Sequence, residues 1–108
     1  MSYELLARKV TERPVLLACS MSWCPHCQRL KPAWEEAMRK VEQAGLNVEM
    51  RNVDLDKTSD QGEALLKTLD TYGIRVEGYP TIVALPSGRR FSKPRTPENL
   101  LAFAREIV

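Results

Sequence analysis

No stretch of this 108-residue chain holds the roughly twenty consecutive apolar residues that a membrane-spanning helix needs, so no membrane contact is expected. An excess of one charge is also missing. Sixteen basic and fourteen acidic side chains leave a formal balance of +2, which gives no reason to expect a nucleic-acid partner. Histidine occurs once and cysteine three times. That odd, small number of cysteines excludes a disulfide-built scaffold and leaves a four-coordinate zinc site short of ligands. Repeats, low-complexity tracts and linkers are absent as well, so one domain over residues 1–108 is expected. The start, MSYELLARKV, mixes charge with short apolar steps and lacks the continuous core of a secretory signal. The last four residues, REIV, are not an endoplasmic-reticulum retention tetrapeptide. Read from Met1, these features predict a cytoplasmic protein.

What is present is the balance of an ordinary globular domain, 44% hydrophobic and 28% charged. SYELLARKV has helical apolar spacing and predicts a short first helix, ended before Pro14. PVLLACSM is a continuous apolar run that suits a strand buried on both faces. From Trp23 to Ala44 the pattern is helical, with Ser22 as the expected N-cap and Gly45 as the stop. LNVEMRNVDL alternates and predicts a second strand, and a helix capped by Thr58 should run to Gly73. PTIVAL and RRFS predict a hairpin around PSG, and Thr96 and Pro97 open a last helix. This order predicts an α/β fold, a four-stranded mixed sheet with helices on both faces.

Cys24 and Cys27 stand three positions apart where the buried strand hands over to a helix. Free backbone N–H groups and the positive end of the helix dipole favour an anion there, and a thiolate is the anion available. Cys27, one turn on, is close enough to attack a mixed disulfide formed at Cys24. Pro25 stiffens the first turn and His26 adds an imidazole beside the sulfurs. A metal clip lacks ligands, because only Cys19 and His26 remain and His26 is wedged between the pair. A structural staple closing so small a loop gains little. The reactive pair is the favoured reading, and it needs no cofactor and no metal.

WCPHC after an apolar strand, Pro32 five positions past the second cysteine, and GYPT before the hairpin together resemble the thioredoxin superfamily over nearly the whole chain. Details resemble the protein disulfide isomerase type of thioredoxin domain: the histidine of WCPHC, the helix segment KPAWEE, and GYPTI. The Pro-His pair itself is similar to the bacterial DsbA type. The resemblance implies a thiol–disulfide oxidoreductase in which Cys24 attacks, Cys27 resolves and His26 tunes the pair. It implies a cis bond before Pro80 and a substrate groove made by Trp23, Pro25, Tyr79 and Pro80. It also implies that Arg95 eases deprotonation of Cys27.

Four departures from the family pattern stand out. The buried acid expected six positions before the first cysteine is Ala18, and a lysine expected on the neighbouring strand is Met50. Resolution by Cys27 should then be slower, with protons moving through water, His26 or a more distant group. The usual first edge strand is missing, the span from Asp54 to Pro80 is long with extra residues around RVE, and Cys19 is an added core cysteine. The expected partners are protein disulfides and a recycling reductase or glutathione, with the chain acting as a monomer. The cytoplasmic expectation favours a reductase, whereas Pro-His and the absent acid favour an oxidase or isomerase. A redox-idle accessory binding module, docking through residues 55 to 78, is the alternative from another class.

Overall fold

The computed structural model describes residues 13–55 and 59–108. The expected first helix, the missing first edge strand and the Thr58 cap all fall outside these residues.

Strand β1, Val15–Ser20, is buried at all six positions, as a continuous apolar run requires. It takes the centre of a three-stranded sheet in the order β2-β1-β3. Strand β2, Glu49–Asp54, lies parallel to it, with Val15 opposite Glu49 and Ser20 opposite Asp54. Strand β3, Thr81–Leu85, lies antiparallel, with Val15 opposite Leu85 and Cys19 opposite Thr81. Parallel pairing needs a crossover, and helix α1, Pro25–Gln43, supplies it.

Side chains alternate across the sheet, so β1 feeds two cores. Leu16 and Ala18 join Ile82 and Ala84 on one face, where Leu30, Trp34, Ala37 and Val41 of α1 pack beside helix α3, Pro97–Ile107. Val15, Leu17 and Cys19 join Val83 and Leu85 on the other, against Leu65 and Leu69 of helix α2, Ser59–Thr71. Helices therefore cover both faces, as expected. Thr96 caps α3 by accepting the Asn99 N–H at 3.1 Å, with Pro97 next in the chain. Between Gly73 and Pro80, the stretch holding Arg75 to Glu77, the chain has no regular structure.

Two expectations change. The fourth strand is rudimentary: an isolated bridge joins Val83 to Arg90, and the Phe91 N–H donates to Ile82 at 2.9 Å. Phe91 also packs edge-on to Phe103 at 5.4 Å. Beyond it Ser92, Lys93 and Pro94 are exposed, and none offers an apolar side chain to continue the ladder. Among the described residues the sheet is thus three-stranded, where four strands were expected. Helix α1 also starts later than expected, and its N-cap is Cys24 rather than Ser22. The residue before a proline is pushed out of the helical region, and Cys24 has the extended values φ −82°, ψ 118°. Pro25 then occupies the first helical position, where its missing N–H costs nothing.

Candidate functional site

Pro25 therefore decides where the first cysteine sits. At the N-cap, Cys24 occupies the position whose side chain usually accepts the unpaired N–H groups of the first turn. Its thiol makes no such cap, but the N–H groups of His26 and Cys27 both favour its thiolate. The largest influence is the Cys27 side chain, which hydrogen-bonds to the Cys24 sulfur and lowers its pKa. Burial opposes this, the two backbone N–H groups add to it, and the charge of Arg95 adds a little more. The net direction is below the ordinary thiol value.

Cys27 moves the other way. Burial raises its pKa most, and both the hydrogen bond to the Cys24 sulfur and that sulfur's charge raise it further. Hydrogen bonds from the Met21 backbone and the Ser20 side chain pull it down without winning. Two thiols one turn apart are thus driven in opposite directions. That is the arrangement in which one sulfur attacks while the other holds its proton until needed.

The chain brings most of the other expected residues to the same place. The Tyr79 carbonyl oxygen lies 3.6 Å from the Cys24 sulfur, and the Tyr79–Pro80 peptide is cis. Trp23 is 64% exposed and meets the Tyr79 ring edge-on at 6.5 Å, so an aromatic pair borders the sulfur. Pro25 and the His26 ring are exposed at the helix start. His26 acts on Cys24 through its backbone N–H, a contribution that any residue but proline could make at that position. Arg95 is exposed, and its charge is felt at Cys24 instead of at Cys27, the cysteine it was expected to serve.

Ala18 and Met50 lie in the apolar cluster with Leu16 and Trp34, so the position of the absent acid is dry core. Polar groups reach Cys27 two residues further along the same face of β1, and sequence reasoning missed them. Ser20 ends β1 only 7% exposed and donates to Asn52 Oδ1 at 2.7 Å. A hydroxyl closing an otherwise apolar run was the available signal. Cys19, the third cysteine, faces the opposite core, where burial pushes its thiol up to about 12.

Among the described residues no group of three potential metal ligands forms, and no helix is long and apolar enough to cross a membrane.

Comparison with known proteins gives the family. The Thioredoxin family model matches residues 3–106. A probable protein disulfide-isomerase A4 of Caenorhabditis elegans is 36% identical over 77 residues, which are 71% of this chain and 11% of that protein. The protein disulfide-isomerase of Saccharomyces cerevisiae is 30% identical over 100 residues, 88% of this chain and 17% of its own length. The chain thus spans under a fifth of either relative. The solution structure of the first thioredoxin domain of mouse protein disulfide-isomerase A4 superposes with a TM-score of 0.74 at 23% identity, covering 99% of this chain and 72% of that one. Human ERp44 in its zinc-bound form gives 0.74 at 22%, covering 98% and 30%. At that identity these two structures speak for the fold.

The relatives overturn the cytoplasmic expectation. They are protein disulfide-isomerases of the endoplasmic-reticulum type, which points to that lumen rather than to the cytoplasm. The expectation rested on the first and last residues, and the fold around the cysteines carries no address of its own. By the matched model, the paired cysteines at the start of α1 and these relatives, the chain belongs to the thioredoxin family, as a domain of the protein disulfide-isomerase type.

Proposed function

We propose that this chain is a thiol–disulfide oxidoreductase acting on protein disulfides through Cys24 and Cys27, as one thioredoxin-like domain over residues 1–108. The observation that carries the reading is the N-cap position of Cys24, where the Cys27 thiol and two backbone N–H groups favour a thiolate. Cys24 attacks a substrate disulfide and forms a mixed disulfide. Cys27 then attacks Cys24, forms the intramolecular disulfide and releases the reduced substrate. Run backwards, the same steps donate a disulfide. Trp23, Pro25, Tyr79 and Pro80 border the sulfur and form the substrate groove. The Tyr79 carbonyl is positioned to take an N–H from an extended substrate chain, as an added strand would supply.

For direction, we favour disulfide donation and isomerisation over reduction. The reductase expectation leaned on a cytoplasmic address, which the relatives remove. A stabilised Cys24 thiolate stabilises the reduced pair and makes Cys24 a good leaving group, and both effects favour giving the disulfide away. Glutathione or a second thiol oxidoreductase would reset the pair, with no cofactor. The experiment is the reduction potential of the Cys24–Cys27 pair, from free thiols counted after equilibration with glutathione mixtures. A potential above roughly −200 mV, near the endoplasmic-reticulum poise, supports donation. A value well below it makes the protein a reductase. Failure to form the intramolecular disulfide would remove the redox reading and leave the binding module.

A further inference from the structure

The resolving thiol has no buried acid on the Ala18 side, so its proton must leave another way. An open cleft of about 330 Å³ runs beside it, lined by Ser20, Cys27, Gln28, Lys31, Asn52 and Asp54. That volume admits several waters, and the exposure of Gln28, Lys31 and Asn52 leaves it open to solvent. Beside Cys27 on the wall of the cleft stands Ser20, whose hydroxyl is nearly buried. It donates to Asn52 Oδ1 at 2.7 Å and shares the cleft wall with Cys27, whose thiolate it favours. A hydroxyl carries one proton, so it serves one acceptor at a time.

We propose that Ser20 is a two-position hydroxyl that stabilises the Cys27 thiolate during resolution, taking over part of the role of the acid absent at Ala18. While Cys27 is a thiol, the Ser20 O–H rests on Asn52. When Cys27 gives its proton to a cleft water, the O–H turns to the sulfur, because a hydrogen bond to an anion is worth more than one to a neutral amide. The Cys27 thiolate attacks the Cys24 sulfur, a new S–S bond forms, and the bond from Cys24 to the substrate breaks. The substrate sulfur leaves with the electron pair and takes a proton from solvent. The charged and titratable groups around this step are Lys31 from α1 and Asp54 from β2 in the cleft, and the Cys24 sulfur on the opposite side with Arg95 and His26 beyond it.

This inference rests on the oxidoreductase reading, so its test has two arms. In the first, with Cys24→Ser as parent, the alkylation rate of Cys27 by iodoacetamide is followed against pH. Adding Ser20→Ala should slow it about tenfold at pH 8 and move its midpoint upward, since a hydrogen bond to a charged group is lost. Ser20→Thr should restore the rate. Asn52→Ala, on the surface and without the competing acceptor, should speed it. An unchanged profile for Ser20→Ala, or a slowing by Asn52→Ala, overturns the proposal. In the second arm, the lifetime of the mixed disulfide with a peptide disulfide is measured in the protein carrying both cysteines. Ser20→Ala should lengthen it about tenfold, while the rate of Cys24 attack, measured with Cys27→Ser, stays the same. If the parent protein forms no mixed disulfide, the oxidoreductase reading falls, and the alkylation arm still judges Ser20.

Discussion

The Cys24 sulfur lies 3.6 Å from the carbonyl oxygen of Tyr79, a residue 55 positions along the chain. A thiol can donate to that oxygen, whereas a thiolate would be repelled by it. The carbonyl therefore opposes the N–H groups of His26 and Cys27, which favour the thiolate. A substrate N–H taking the Tyr79 oxygen would remove the opposition as the substrate arrives. Even without substrate the balance lies below the ordinary thiol value, so Cys24 should ionise more readily than a free thiol. Site-resolved alkylation followed by mass spectrometry should give Cys24 a midpoint below the roughly 8.5 of a free thiol and Cys27 a midpoint above it. Equal midpoints would contradict the opposed environments described for the two thiols.

The charge of the Arg95 guanidinium favours the Cys24 thiolate. Arg95 is exposed to solvent, so the effect must be screened. Arg95→Gln should slow Cys24 alkylation at pH 7 and low salt, and leave Cys27 nearly untouched. The gap between variant and parent should shrink as salt rises toward 1 M, where the screening length is about 3 Å. A gap that ignores salt would mean that Arg95 acts through packing.

Much of this arrangement is legible in the sequence because it is local. PVLLACSM has no polar interruption before Ser20, so its burial as a central strand follows from the run alone. Thr96 and Pro97 announce α3 by residue type. The beginning of α1 is also local, yet Ser22 misleads: it looks like a cap, and the restriction that Pro25 places on Cys24 outweighs it. The fourth strand was less legible, because alternation in RRFS says nothing about whether Ser92 and Lys93 find anything to pair against. Least legible were contacts between distant segments. Nothing in either stretch says that Tyr79 meets Cys24, and only the thioredoxin resemblance suggested it. No resemblance pointed to Ser20 or Asn52, which the β1–β2 pairing brings together.

Cys19 should make the fold sensitive to alkali. It is fully buried, and its thiol is pushed up to about 12 by burial. In the unfolded chain the same thiol ionises near roughly 8.5. Below that value both states keep the proton and stability is unaffected. Between it and 12 only the unfolded chain has lost the proton, so stability falls with rising pH by about 1.4 kcal/mol per unit from this group. Urea unfolding across pH 8 to 11 should show that slope, and Cys19→Ala should flatten it while lowering stability at pH 7 by about 1–2 kcal/mol. A slope that persists in the variant would have to come from other groups.

Restoring the family's acid should harm this chain. Ala18 has no exposed surface and packs in the cluster with Leu16, Trp34, Met50 and Ile82, so a carboxylate there meets neither water nor a charged partner within that cluster. Ala18→Asp adds volume to a filled core and buries a polar group, each worth about 1–3 kcal/mol of destabilisation. The sum is a large part of the 5–15 kcal/mol typical of a folded domain. The buried carboxyl should also hold its proton to a higher pH than usual, so the loss should be smaller at pH 4 than at pH 8. Denaturant unfolding of the variant at both values tests this. If Ala18→Asp proves as stable as the parent and speeds resolution, the site has kept room for the acid. In that case Ser20 and the cleft are not the principal route for the Cys27 proton. A clear loss of stability without faster resolution would show that the Ala18 position has become core, and that the chemistry of Cys27 depends instead on Ser20 and the cleft.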